Sequence, residues 1–239
     1  GHITGKGFDV KQINTDFKGT IPLLYYQGYN YKNLNIDGNF AANTFSGKLN
    51  INDDNLLLKQ CEGSIQIDGD ILQCKIKGAL QKAQLQNLGI TRKKMTLAGN
   101  FDLDFKGSNL DDFTGDANVV NGSIETETKF LPVSSVGLHT FEVGNQKTIT
   151  LESDFLNAKI EGNYKVKEMP NAFRTFLGNY FPAYISKNQR TLSNQNLSFD
   201  IKTGTIEPYL KLFDNQISGL NDAHFSGTLL LPEIGRAHV

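Results

Sequence analysis

The 239-residue sequence predicts an all-β protein: an elongated, strongly curved, antiparallel-rich sheet with one or two short helical inserts. Three observations carry this expectation. Apolar and polar residues alternate with a period of two through most of the chain, the signature of strands with one buried and one wet face. Glycines recur at the parity of the apolar face rather than between strands. Turn signals rich in Asn and Gly separate the alternating runs at intervals of roughly 8–12 residues, as in sandwiches, barrels or elongated β stacks.

The elements follow in order. Residues 33–40 place Leu34, Ile36 and Phe40 on one face and Asn33, Asn35, Asp37 and Asn39 on the other. Residues 44–52 set Phe45, Leu49 and Ile51 against Thr44, Ser46, Lys48, Asn50 and Asn52. Leu56 with Leu58, Ile65 with Ile67, and Leu72, Cys74, Ile76 and Leu80 continue the pattern. The cleanest run, 96–107, opposes Leu97, Phe101, Leu103 and Phe105 to Asn100, Asp102, Asp104 and Lys106. Phe113, Ala117 and Val119, then Ile160, Tyr164 and Val166, and finally Leu197, Phe199 and Ile201 extend it.

Gly38, Gly47, Gly69, Gly78, Gly99, Gly107, Gly115 and Gly162 share the apolar parity. An interior glycine marks a bend or a close backbone approach, so the sheet is expected to curl toward its apolar side. Turns are expected at 52–55, 107–109, Asn121-Gly122 and Gly144-Asn145. Two segments break the rhythm. In 168–181, Phe173, Phe176, Leu177 and Tyr180 fall at helical spacing behind Pro170, which suits a first helical turn. Residues 208–213 suit one further turn, and polar 187–196 reads as a loop. One β domain over 1–233 is expected. The final six residues, 234–239, read like a translated sequencing adapter and are expected to add nothing to the fold. Residue 1 is not Met, which agrees with an internal piece of a longer gene.

Composition excludes several functions. With 24 Lys+Arg against 25 Asp+Glu, the net charge of −1 gives no electrostatic case for nucleic acid. No apolar run approaches the ~18 residues of a membrane-spanning helix. His2, His139, His224 and His238 sit at no metal-ligand spacing. Asp53-Asp54 and Asp111-Asp112 read as solvated turns, since calcium wants more ligands in a rigid loop. Gly5-Lys6-Gly7 lacks the frame of a phosphate-binding loop, and no nucleophile–base pair can be assembled. Asp102 and Asp104 are the one carboxylate pair a carbohydrate enzyme could use, and they read as solubilising an outer face. No enzyme, metal or cofactor is expected. Cys61 and Cys74 could pair in an oxidising compartment or stay free and buried. What remains is a long one-sided apolar surface, either a closed β core or an open concave face that receives something apolar.

Residues 29–40 (YNYKNLNIDGNF), 95–107 (MTLAGNFDLDFKG) with 109–115 (NLDDFTG), 197–202 (LSFDIK) leading to 208–213 (PYLKLF), and 169–173 (MPNAF) resemble the C-terminal half of TamB-type proteins of the AsmA-like superfamily, in their Bacteroidetes versions. The resemblance covers nearly all of 1–233. It implies a sheet folded along its length like a taco around a hydrophobic groove. It implies a Gram-negative periplasmic bridge, held in the inner membrane by a segment outside this sequence. The implied work is phospholipid transport to the outer membrane, or outer-membrane protein assembly with an outer-membrane Omp85-type partner docking elsewhere. The family offers no catalytic residues to transfer. On this reading the lipid groove is lined by Leu34, Ile36, Phe40, Phe45, Leu49 and Ile51, by Leu97, Phe101, Leu103 and Phe105, and by Leu197, Phe199 and Ile201. The partners would be phospholipid acyl chains. The alternative is a β-rich scaffold or binding module without lipid cargo.

Overall fold

The computed structural model describes residues 2–6, 14–109, 111–180, 194–212 and 218–231. Among them run thirteen strands: β1 (His2–Lys6), β2 (Asn14–Tyr26), β3 (Tyr29–Ala41), β4 (Thr44–Asn52), β5 (Leu56–Asp68), β6 (Ile71–Gln84), β7 (Met95–Gly107), β8 (Thr114–Thr126), β9 (Phe130–Val143), β10 (Gln146–Ser153), β11 (Leu156–Asn163), β12 (Gln195–Thr203) and β13 (His224–Leu231). Each pairs with its neighbours in sequence, in one open sheet of order β1 to β13. Two helical inserts interrupt the strands, α1 (Met169–Tyr180), led by a 3₁₀ turn (Val166–Glu168), and α2 (Glu207–Leu210). The chain forms two compact units, Gly1–Ser108 with Gly115–Gly137, and Asn109–Thr114 with Leu138–Val239.

In the first unit the turn chemistry sets the register. Gln27 and Gly28 take φ of 48° and 85° between β2 and β3, the positive angles of a two-residue hairpin turn. Ala42 and Asn43 do the same between β3 and β4, at 48° and 60°. From these turns the ladders run without slip through β2·β3 and β3·β4. Irregularities enter at β4·β5, β5·β6 and β6·β7. At the first, Gln60 adopts φ 52° and its N–H donates to Asn50 Oδ1 at 2.9 Å, so a side chain satisfies the displaced donor.

Two neighbouring rungs cross this unit. On the wet face, Lys18, Asp37, Lys48, Glu62, Lys77 and Asp102 lie directly opposite one another in turn, from β2 to β7. The charge alternates at every step. Lys18 meets Asp37 at 2.7 Å, Glu62 meets Lys77 at 3.1 Å and Lys48 at 3.8 Å. These solvated pairs are individually weak, but each avoids the like-charge opposition that would penalise the ladder. One residue along, at apolar parity, Gly38, Gly47 and Gly63 oppose one another. Here the backbones approach closely. A Cβ on Gly47 would lie 2.5 Å from the Asp37 carbonyl oxygen, and one on Gly63 would collide with that of Lys75. Gly63 also sits at φ +151°, a conformation L side chains rarely adopt.

The second unit packs β11, β12 and β13 in regular antiparallel register. Its core is Tyr164, Ala172, Leu197 and Leu229, with Ile149, Ile160, Val166, Met169 and Phe199 against it. Ala172 belongs to α1, so the insert covers this apolar patch. Burial pushes the Tyr164 hydroxyl up to about 12. The α2 turn is tied to the strand ends: Glu207 accepts from Gly219 N at 2.5 Å and Leu220 N at 3.3 Å, while Tyr209 stacks on Phe155 at 3.9 Å.

The all-β sheet and its helical inserts agree with the sequence pattern, which does not mark β1, β2, β9, β10 or β13 and carries the run of Ile160, Tyr164 and Val166 past the end of β11 at Asn163 into the 3₁₀ turn; three further local expectations are corrected. Asn121-Gly122 is not a turn but lies inside β8, where Asn121 takes φ 51°. Asn tolerates that angle inside a strand as well as in a hairpin. Gly69 is a hairpin-turn residue at φ +58°, not a position on a strand face. Gln195 and Asn196 begin β12 instead of ending a loop; Gln195 is buried because its amide accepts from Lys165 N at 3.1 Å and donates to Glu168 at 3.0 Å. The rest of the expected loop, the side chains of Phe173, Phe176, Leu177 and Tyr180, and residues 234–239 lie outside the described residues.

Glycine substitutions distinguish close approach from turn geometry. Gly63→Ala adds backbone strain to overpacking and should cost about 3–5 kcal/mol. Gly69→Ala, with nothing near its Cβ, should cost about 1 kcal/mol. Urea unfolding followed by far-UV circular dichroism checks both; equal costs would mean the rung is not a close contact.

Candidate functional site

The register brings ten of the expected lining residues onto one face of the first unit. Across β3 and β4, Leu34 opposes Ile51, Ile36 opposes Leu49, and Phe40 opposes Phe45. Opposed residues of an antiparallel pair point to the same face. From β4 the rows continue through Ile65, Cys61 and Leu58 of β5. They pass to β6 at Cys74, Ile76, Gly78 and Leu80, and reach Phe105, Leu103, Phe101 and Gly99 of β7. Leu97 lies two residues from Gly99 and opposes Ala83.

Exposure divides these ten. Leu34 and Ile51 are core, at 5% and 8% exposure. Ile36, Phe40, Phe45, Leu49, Leu97, Phe101, Leu103 and Phe105 are half-buried. Two aromatics lie against neighbouring glycines: a Cβ on Gly38 would come within 2.6 Å of Phe45 Cε2, and one on Gly78 within 2.8 Å of Phe101 Cζ. Phe17 then stacks on Phe45 at 5.4 Å and 19°. Aromatic rings thus shield the backbone that the glycines leave bare, giving a smooth apolar surface.

The remaining three belong to the second unit. Leu197 opposes Gly162 and Leu229, Phe199 opposes Ile160 and Gly227, and Ile201 opposes Ala158 and Phe225. Leu197 is 1% exposed within the core that α1 closes, so it presents no open surface. Phe199 and Ile201 are half-buried.

Cys61 and Cys74 are both free, and both are buried on the apolar face. Burial raises each thiol above its ordinary value, which leaves little thiolate to react. Among the described residues no group of three or more His, Cys, Asp or Glu could hold a metal ion, and no helix is long and apolar enough to cross a membrane.

Sequence reasoning missed two polar features. Recesses of about 670 and 620 Å³ open on the wet face of the first unit, lined mainly by Glu62, Lys77, Asn100, Asp102 and Asn118 in one and by Asp37, Lys48, Ser64 and Lys75 in the other. The alternating signs were visible in each strand, but only register aligns them. The second feature corrects the reading of Asp53-Asp54 as a solvated turn. Asp53 is buried, 5% exposed, because the turn folds back onto the start of β3. Its carboxylate accepts from Tyr29 OH at 2.5 Å, Lys32 N at 3.0 Å and Asn55 N at 2.8 Å. Asn55 Nδ2 donates to Tyr29 OH at 2.9 Å, and Asn87 donates to Asn55 at 2.8 Å. Burial alone pushes the carboxyl up, but the Tyr29 hydroxyl and the backbone donors outweigh it and hold it below its ordinary value. Only Asp54, at the rim with Lys32 at 2.9 Å, is solvated. The network is satisfied internally and reads as a structural clasp.

No family model matches this chain, and no curated protein or solved structure is similar to it.

The clasp makes stability depend on acid. A carboxyl with a depressed folded value stabilises above its unfolded value, near ~3.9, and loses that stabilisation as pH falls through the folded value. Asp53→Asn should therefore cost roughly 1–3 kcal/mol at pH 7, and the gap to wild type should shrink below pH ~4. Urea titrations from pH 3 to pH 7 read this directly; a gap independent of pH would remove the charged acceptor from the account.

Proposed function

We propose that this chain is a segment of a TamB-type periplasmic bridge and that the apolar face of its first unit carries phospholipid acyl chains between inner and outer membranes. The observation that supports this is the run of half-buried side chains, Ile36, Phe40, Phe45, Leu49, Phe101, Leu103 and Phe105, joined from β3 to β7 by register. A finished globular core buries its large apolar residues; these stay partly accessible, as a transit surface needs. Each methylene withdrawn from water contributes about 0.8 kcal/mol, so acyl chains need no specific polar contact and can slide. The resemblance of residues 29–40 and 95–107 to the family supports the same reading. The parent would be anchored in the inner membrane and would meet its outer-membrane partner through other regions. Assembly of outer-membrane proteins is a further role the resemblance supports.

The closed packing around Leu197 favours a second reading for the second unit alone, a scaffold that carries no lipid.

A photocrosslinking residue at Phe101 in the full-length parent should yield phospholipid adducts in cells, identified by mass spectrometry, while the same probe at Asn100 on the wet face should not. Phe101→Asp and Leu103→Glu should leave the parent folded and near normal abundance but abolish envelope function. A charge in a closed core costs several kcal/mol, comparable to much of a domain's ~5–15 kcal/mol stability. At a half-open face the carboxylate reaches water and instead obstructs the acyl chain. Asn100→Asp should be silent. Degradation of the charged variants, full function in them, or adducts with protein alone would each sink the lipid path.

A further inference from the structure

On the wet face of the first unit, many polar side chains satisfy one another. Thr20 Oγ1 donates to Asn35 Oδ1 at 2.7 Å, Asn39 Nδ2 donates to Asn14 at 2.7 Å and Asp16 at 2.8 Å, and Lys75 pairs with Asp104 at 2.8 Å. The 670 Å³ recess across β5 to β8 differs. Among the described residues, the side chains of Gln60, Asn100 and Asn118 in its lining make no hydrogen bond, and Asp102 makes neither a hydrogen bond nor an ion pair. Asp102 stands opposite Lys77, but that ammonium reaches Glu62 at 3.1 Å. A bulge adds to the set. Between the pairs Lys59 with Ala79 and Glu62 with Lys77, β5 has two residues where β6 has only Gly78. Cys61 faces Gly78, whose Cβ would lie 3.1 Å from Cys61 Cα. Gln60, at φ 52°, is the extra residue and lines the recess. Bulges re-aim side chains in this way beside functional sites. Ala79 and Val120, the latter 43% exposed, give the same lining an apolar patch. Strands β5 to β8 each have both neighbours in the sheet, so described chain bounds the recess on either side.

We propose that this recess binds an uncharged oligosaccharide. A sugar ring is amphipathic, with C–H groups on its faces and hydroxyls, each donor and acceptor, around its rim. The amides of Gln60, Asn100 and Asn118 offer a donor and an acceptor from one planar group, and the Asp102 carboxylate accepts from two adjacent hydroxyls. Val120 and Ala79 receive the C–H face, an apolar surface with a few convergent polar groups. Glu62 and Lys77 offset each other, which leaves the single charge of Asp102 and no pull on a polyanion. The neighbouring 620 Å³ recess shares Glu62, Lys77 and Asp102 in its lining, so a ligand longer than one ring can run on across β4. The site binds and does not cleave: glycoside hydrolysis needs two carboxylates, and Glu62 is engaged by Lys48 and Lys77. This inference does not depend on the lipid reading, which concerns the opposite face of the sheet.

The probes are cellotetraose, maltotetraose and chitotetraose, titrated into the whole chain and read by ligand-observed NMR. At least one should bind saturably, with the same affinity at low and high salt. Asn100→Ala and Asp102→Ala should each weaken that binding roughly tenfold, the loss of a hydrogen bond or two. Gln60→Gly, which suits the positive φ and removes the amide, should do the same. All three positions are exposed, so the circular dichroism spectrum and melting temperature should not change. Gln73→Ala, at an exposed position on the same face of β6 outside the recess, should bind like wild type. Failure of all three sugars to bind saturably, equal binding by the recess variants, or equal loss in Gln73→Ala overturns the proposal. So does binding of spermidine, lost in Asp102→Asn and at high salt, while the sugars fail; that result assigns the recess to a cation.

Discussion

The first unit depends on one steric constraint: strands β3, β4 and β5 can meet as they do only because Gly38, Gly47 and Gly63 stand opposite one another. A side chain at the middle or last of these would strike the carbonyl of the strand next to it. Close approach leaves bare backbone on the apolar face, and aromatic rings from adjacent strands cover it. Phe45 lies over Gly38 and Phe101 over Gly78. The rows of Leu, Ile and Phe follow from the same alignment, as does the rung of alternating charge one residue away on the wet face. Shifting any of these strands by one residue would move all of it to the opposite side.

The two faces are built to different standards. The wet face is a lattice of short ionic and amide contacts, Lys18 to Asp37 at 2.7 Å and Lys75 to Asp104 at 2.8 Å among them, with each charge of the rung from Lys18 to Asp102 answered across the strand. Along that rung the opposed charges offset one another in pairs. The apolar face of the first unit is left partly accessible. In the second unit α1 lays Ala172 onto Leu197 and Leu229 and closes the corresponding patch. Closure by an insert is a local decision, made by one helix and not by the strand pattern beneath it.

The Asp53 clasp shows the limit of reading turns by composition. Asn52-Asp-Asp-Asn55 has the residues of a solvated hairpin turn. The fold instead buries one of the two carboxylates against Tyr29, Lys32 N and Asn55 N and leaves the other at the rim. Identical neighbours take opposite environments because the turn folds Asp53 back onto the start of β3 and leaves Asp54 at the rim beside Lys32.

The sequence by itself determined strands β3 to β8, β11 and β12 with their two-faced character, the positions of the helical inserts and the parity of the lining residues, but not β1, β2, β9, β10 or β13. These are local properties: a period of two, turn residues with positive φ, and proline at a first helical turn all act within a few residues. Only the tertiary structure decided which glycines oppose one another and that Asn121-Gly122 stays within β8. It also decided that Leu34, Ile51 and Leu197 are core while Phe101 and Phe105 remain accessible. Alternation gives the side of the sheet a residue faces, but burial depends on what lies across that face. That is set by strands and helices tens of residues away in the chain, whose register no single strand encodes.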